Sequence, residues 1–259
     1  MSTFLFDQII FGPVKSRRLG VSLGVNLLPT DSKVCSFDCI YCECGWNPKK
    51  REKKAVLPTR IEVRQKLEEK LIQMVFENDL PDVITFAGNG EPTLHPEFKG
   101  IIDDTIDLRN RLTPMARIAV LSNATMLHKP DVISALLKVE DNIQKLDSAF
   151  EETIRKIDCP ASDFKLTKVV ETLKSFNGQV IIQTMFLRGT YQGATIDNST
   201  KEELDAWLKL IAEIRPSQVM IYTIDRETPA TGLEKLNIDE LQQIADQVHA
   251  LGFPVQVSG

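Results

Sequence analysis

Short runs of β-branched and aliphatic residues alternate with longer amphipathic runs along the chain, and this alternation constrains the fold more than any other feature. The extended runs fall at 21–27, 82–86, 118–121, 143–146, 180–187, 218–224 and 255–257. The stretches between them have helical periodicity. Thr59 and Glu62 form a capping box ahead of Val63, Leu67, Leu71, Met74 and Val75, which share one helix face. Helices are also expected over 96–111, over 130–138 with proline at its head, and over 163–176 with Asn177-Gly178 as its stop. Thr200 and Glu203 form a second capping box that opens another, with Leu204, Trp207, Leu208 and Ile211 as its buried stripe. Asn237 caps the last, which carries Leu241, Ile244, Val248 and Leu251 to Gly252. Strands separated by helices of about 10–15 residues make βαβ units and a parallel sheet. The pattern predicts an α/β chain folded as a partial or complete (β/α)6 barrel, with its site in the loops at the strand C-termini. One domain is expected over 1–259, with 1–20 as a lead-in and 21–259 as the barrel core.

The chemistry is concentrated in two loops. Four of the five cysteines lie between Cys35 and Cys44, an odd total and a tight cluster that read as metal binding and not as a disulfide framework. Cys35-Ser-Phe-Asp-Cys39-Ile-Tyr-Cys42 has C-x3-C-x2-C spacing. Thiolates are the usual ligands of iron–sulfur clusters, and three of them on a [4Fe–4S] cube leave one iron open for catalysis. Cys44 keeps a second reading alive, a four-thiolate zinc site, although four ligands within ten residues close awkwardly into a tetrahedron. Cys159 is expected to be an inert, half-buried thiol. The second loop, Ala87-Gly88-Asn89-Gly90-Glu91-Pro92-Thr93, follows the run 82–86. Its glycines permit close backbone approach to a ligand, and Glu91 offers a carboxylate to an ammonium group.

Together these two motifs, in this order and about 50 residues apart, resemble those of the radical S-adenosylmethionine (SAM) superfamily. The resemblance implies a partial (β/α)6 barrel, a [4Fe–4S] cluster on Cys35, Cys39 and Cys42, and SAM chelated to the open iron. It also implies SAM contacts from Gly88, Asn89, Gly90 and Glu91. Tyr41 is expected against the adenine, Ser122 and Asn123 near SAM, and Asp147 and Gln183 near the ribose or the substrate. Arg226, Lys145 and Arg188 are the candidate catalytic, substrate-side residues, with Arg17 and Arg18 beside the first strand as further basic candidates. His95 is expected to order the loop past Glu91. The segments Phe11–Gly20 and Tyr222–Ala230 are similar to parts of the wyosine-synthase-like, tRNA-modifying branch, but residues 1–34 lack the cysteines of that branch's second cluster.

Net charge is −5, which argues mildly against a general nucleic-acid binder. A local basic run, Lys49, Lys50, Arg51, Lys53 and Lys54, follows the cysteine loop and leaves an RNA contact open. No apolar stretch reaches the roughly 20 residues of a membrane span, and the N-terminus lacks the pattern of a signal peptide, so a cytoplasmic protein is expected. A radical SAM enzyme needs a one-electron donor such as flavodoxin or ferredoxin. Three function classes follow: modification of RNA or a nucleotide, modification of a protein or small metabolite, and non-catalytic metal binding.

Overall fold

Seven of the chain's strands line up in parallel because each βαβ crossover returns the chain to the same edge of the sheet. The computed structural model describes residues 4–16, 18–49, 55–161 and 163–259. In chain order the elements are β1 (Ile10–Ser16), β2 (Gly20–Val25), α1 (Arg60–Glu77), β3 (Val83–Phe86), α2 (Phe98–Leu112), β4 (Arg117–Ser122), α3 (Pro130–Leu136), β5 (Asp141–Lys145) and α4 (Glu151–Ile157). They continue with α5 (Leu166–Ser175), β6 (Ile181–Met185), β7 (Leu187–Tyr191), β8 (Ala194–Asp197), α6 (Lys201–Ile214), β9 (Gln218–Tyr222), β10 (Leu233–Lys235), α7 (Ile238–Ala250) and β11 (Val255–Ser258). The main sheet runs β1-β2-β3-β4-β5-β6-β9-β11, and a small sheet runs β10-β7-β8. Only the β1–β2 pair of the main sheet is antiparallel. The result is the expected partial barrel, a curled half-barrel with helices outside it.

Side chains alternate between the two faces of each strand. One set, including Ile84, Phe86, Ile118, Val120, Ile182, Val219 and Ile221, joins the main core with Leu67, Leu71, Ile101, Trp207, Ile211 and Leu241 from the helices. A separate cluster fills the concave side: Val83, Ala119, Ile143, Ile181 and Met220, with Leu19 from the β1–β2 turn packed among them. Two residues further along the same strands stand Thr85, Leu121, Lys145, Gln183 and Tyr222. The inner face thus changes from an apolar floor to a largely polar wall within one repeat of the pleat.

Several boundaries differ from the pattern. Val75 is exposed, because the buried stripe of α1 is Val63, Leu67, Leu71 and Met74. Leu251 lies past the end of α7 and is also exposed. The lead-in 1–20 contains β1, and the stretch 163–176 is helical only from Leu166 to Ser175. Helix α4 was not expected. The run 180–187 is two strands, not one, because the buried Asn198 side chain intervenes. It donates to the carbonyls of Asp147 and Met185 (both 2.7 Å) and accepts from the Leu187 amide (2.9 Å), so the backbone leaves the main sheet there.

Candidate active site

The cysteine loop is held by backbone bonds to the Gly-rich loop and to the end of α4, and by one side chain of its own. The Val34 amide donates to the Asn89 carbonyl (2.8 Å), and the Glu91 amide donates back to Val34 (3.1 Å), so the loop enters as a bridge beside Gly90. A Cβ on Gly90 would overlap the Val34 carbonyl, and Gly90 also has a φ of +136°. Both facts require glycine at this position. The glycine here permits close contact between two loops, and it also lines the cavity described next. Further on, the amides of Asp38 and Ile40 donate to the carbonyls of Asp158 and Ile157 at the end of α4 (both 2.9 Å). The Asn47 side chain closes the loop, accepting from the Cys35 amide (3.0 Å) and donating to the Phe37 carbonyl (2.9 Å).

Cys35, Cys39, Cys42 and Cys44 then line one cavity of about 320 Å³, with Gly88, Gly90, Glu91, Ser122, Asn123, Tyr41, Lys145, Gln183 and Arg226 also on its wall. Burial, followed by the charge of Glu91, pushes the Cys35 thiol up to about 12. Burial also raises Cys39. Cys42 is lowered to about 6, first by a hydrogen bond with Cys44 and then by the Lys33 ammonium against the opposing effect of burial. Burial alone would lower Lys33, but the charges of Cys42, Cys35 and Cys39 outweigh it and hold the group up. Lys33 is almost fully buried and bonds the Gly45 carbonyl (2.8 Å) and Asp38 (3.3 Å). The Cys44 thiol is turned to the Gly88 carbonyl at 3.4 Å. Cys159 is half-buried, outside the cavity, as expected.

Glu91 is 2% exposed and has no cationic partner among the described residues. It accepts from the Asn123 amide (2.6 Å), the Thr93 amide (3.1 Å) and the Thr93 hydroxyl, and burial raises its pKa. A buried carboxylate without a counter-charge favours an ammonium ligand. Three sulfur donors beside it, with Lys33 behind them, suit an anionic thiolate-bound cluster. The donor chemistry suits both groups that the sequence implies, although among the described residues no three side chains converge into a ready-made metal site.

On the opposite wall Lys145 sits over the Tyr41 ring, 4.5 Å from its centroid, and bonds the Tyr41 hydroxyl. It pairs with Asp147 (2.9 Å) and Asp158 (3.4 Å), both buried. Burial alone would lower Lys145, but the two carboxylates outweigh it and hold the ammonium charged. Gln183 accepts from Arg18 at 3.1 Å.

Three candidates are placed differently from expectation. Asn89 is fully buried behind the wall, bonding Phe6 and Pro29 through its side chain, so it shapes the loop. Asp147 stands behind Lys145, off the lining of this cavity, and accepts from the Met185 amide (3.0 Å). Arg188 lies on β7 in the small sheet, ion-paired with Glu240 and away from the cavity, because the chain has already left the barrel at Met185. Arg226 is at the rim, mostly exposed and paired with Glu43 at 2.9 Å. His95 orders its loop as expected, bonding the Pro58 carbonyl (2.8 Å) and the Glu97 amide (3.1 Å). Arg17, Lys50, Arg51, Lys53 and Lys54 lie outside the described residues. Asp158, Lys33 and Asn47 were missed. Their only signal was closeness in sequence to cysteines, which says nothing about burial.

An open parallel half-barrel with this loop at its mouth is the architecture of a radical SAM enzyme, and the chain belongs to the radical SAM superfamily, whose family model matches residues 30–211. SAM and an iron–sulfur cluster are implied by that membership. Among individual proteins, the chain is 32% identical over 238 residues to a protein of Brachyspira hyodysenteriae named GTPase Obg, covering 90% of this chain and 32% of that one. It is 32% identical over 244 residues to a UPF0026 protein of Helicobacter pylori, covering 90% and 71%. The chain thus spans only about a third of the Brachyspira relative. A radical SAM methyltransferase from Sphaerobacter thermophilus shares the fold, with a TM-score of 0.67 at 12% identity over 92% of this chain and 65% of that one. Archaeal TYW1 shares it at 0.54 and 14%, over 88% and 71%. Among the described residues no helix is long and apolar enough to cross a membrane.

Proposed function

We propose that Cys35, Cys39 and Cys42 hold a [4Fe–4S] cluster, and that the cavity binds SAM with its methionyl ammonium on Glu91. The observation that carries this is the buried carboxylate of Glu91, without a cationic partner among the described residues, lining one cavity with these three thiols and Cys44. When bound, the cluster supplies one electron from a flavodoxin or ferredoxin type of donor, which splits SAM into methionine and a 5′-deoxyadenosyl radical for hydrogen abstraction. The chain's own residues bind, orient and exclude water. Glu91 fixes the amino end, Ser122 and Asn123 flank it, and the Tyr41 ring, held by Asp147 and Asp158, forms the wall on the Lys145 side. Lys145, locked against two carboxylates, ties the back of the cysteine loop to Asp147 and Asp158.

Anaerobic reconstitution tests the reading. About four iron and four sulfide are expected per chain. Cys35→Ala, Cys39→Ala and Cys42→Ala each lose them, whereas Cys44→Ala and Cys159→Ala keep them. Zinc as the bound metal, or equal loss in Cys44→Ala, overturns it.

A second reading, an RNA or nucleotide substrate, has one observation behind it. Trp46, 38% exposed just past the cysteine loop, is stacked on Tyr191 at 6.1 Å, an aromatic platform of the kind on which bases stack. Binding of total tRNA that weakens steeply from about 50 to 200 mM salt supports it. Absence of binding at the low-salt end retires it.

A further inference from the structure

The turn between β1 and β2 reaches into the half-barrel from the end opposite the cysteine loop. Leu19 is packed into the apolar floor with Val83, Ala119, Ile143, Ile181 and Met220. The Arg18 carbonyl accepts from the Gln256 side chain of β11 at 2.9 Å, which ties this turn to the far edge of the sheet. A turn pinned at both points is a rigid support, and its next side chain, Arg18, runs up the inner face.

There the guanidinium lies 4.5 Å over the Tyr222 ring and donates to Gln183 at 3.1 Å. Both partners are neutral, and among the described residues Arg18 forms no ion pair. The neighbouring cation, Lys145, is already matched by Asp147 and Asp158. Among the described residues neither of those carboxylates pairs with Arg18, and Glu91, on the opposite side of the cavity, has no cationic partner; Glu43 and Asp225 also line the cavity, and neither is paired with Arg18. A guanidinium that is half-buried, held flat by an aromatic ring and free of carboxylates keeps most of its N–H groups for a ligand, and its fork geometry suits carboxylate or phosphate.

We propose that Arg18 anchors an oxyanion, a carboxylate or phosphate group, on the substrate that occupies the β5–β6–β9 side of the cavity. The inference rests on the SAM reading only for which side is left to the substrate. SAM has a carboxylate of its own, but its amine and carboxylate lie on neighbouring atoms, and Glu91 takes the amine on the opposite wall.

The test uses the reconstituted, SAM-loaded protein and two probes, inorganic phosphate and acetate, each at about 20 mM, above the millimolar affinity of a single anchored anion. Chloride at matched ionic strength is the reference. Arg18 is followed by the rate of its modification by phenylglyoxal, read by peptide mass spectrometry, and the melting temperature is recorded in parallel. At least one probe is expected to slow modification of Arg18 severalfold and to raise the melting temperature. Stronger protection by phosphate identifies a phosphorylated substrate, and stronger protection by acetate a carboxylic acid. Arg18→Gln should lose the thermal shift, Arg18→Lys should retain only part of it, and both should bind SAM as the parent does. Equal modification rates in phosphate, acetate and chloride overturn the proposal. A tenfold weaker SAM affinity in Arg18→Gln also overturns it, by assigning Arg18 to the SAM carboxylate. Modification of wild-type Arg18 needs no variant to fold. The probes involve no SAM cleavage, so failure here leaves the SAM reading standing, and failure of SAM cleavage leaves Arg18 to be judged by its own protection.

Discussion

Glu91 carries the largest burden of any single side chain. Its carboxylate is buried, lacks a counter-charge among the described residues, and is held by the Asn123 and Thr93 amides. Glu91→Gln keeps the shape and removes the charge, and hydrogen bonds to ionised groups are roughly twice as strong as neutral ones. SAM affinity should fall about tenfold in that variant, equivalent to about 1.4 kcal/mol, with iron content unchanged. Calorimetric titration of the reconstituted protein checks it, and an unchanged Kd would remove Glu91 from the SAM edge. At this scale the sequence was informative where spacing encodes chemistry, as with the three cysteines and Glu91. It did not show that Asn89, in the same loop, spends its amide on Phe6 and Pro29. Spacing reports which loop a residue belongs to, not which way its side chain turns.

Elements were legible wherever caps and periodicity agreed. Thr59, Thr200 and Asn237 all cap helices, but Glu203 turns its carboxylate to Ser148 and Thr153 and does not close a capping box with Thr200. The failures came from tertiary partners: Asn198 breaks the run 180–187, and α4 has too short an apolar pattern to announce itself. Helices α1 and α2 add a contact that periodicity cannot show. Arg60 pairs with Asp104 at 2.6 Å and Arg64 with both Asp104 (3.1 Å) and Asp107 (2.6 Å). The hydrogen bond from Arg60, and then the charges of both arginines, hold the Asp104 carboxyl below its usual range despite partial burial. A depressed carboxylate stabilises the fold above its unfolded-state pKa of about 3.9, and that contribution disappears as pH falls through the lower folded value. Both arginines are partly solvated, so the contribution is on the order of 1 kcal/mol. Asp104→Asn should therefore lower the melting temperature by about 2–4 °C at neutral pH. The difference from wild type should close below about pH 3, as followed by circular dichroism.

Across the whole molecule, the half-barrel is sealed at its floor by contact between its first hairpin and its last strand. Leu19, 7% exposed, fills that floor, and Gln256 fastens the turn. Leu19→Ala should cost about 2–4 kcal/mol, seen as a lower urea midpoint with unchanged slope. An effect below about 0.5 kcal/mol would show that the turn is merely laid against the sheet. This long-range closure was invisible in the sequence, since nothing in a local pattern links residue 18 to residue 256.

The grip of α4 on the cysteine loop sets an order of events during synthesis. Chains emerge N-terminus first, at about 5–20 residues per second. Cys35, Cys39 and Cys42 leave the ribosome early, but Ile157 and Asp158, whose carbonyls hold Asp38 and Ile40, are about 115 residues behind them. For about 6–23 s the three thiols belong to a loop that α4 does not yet hold. In a cell that interval is when they are open to oxygen and to adventitious zinc, and also when an iron–sulfur carrier has unobstructed access to them.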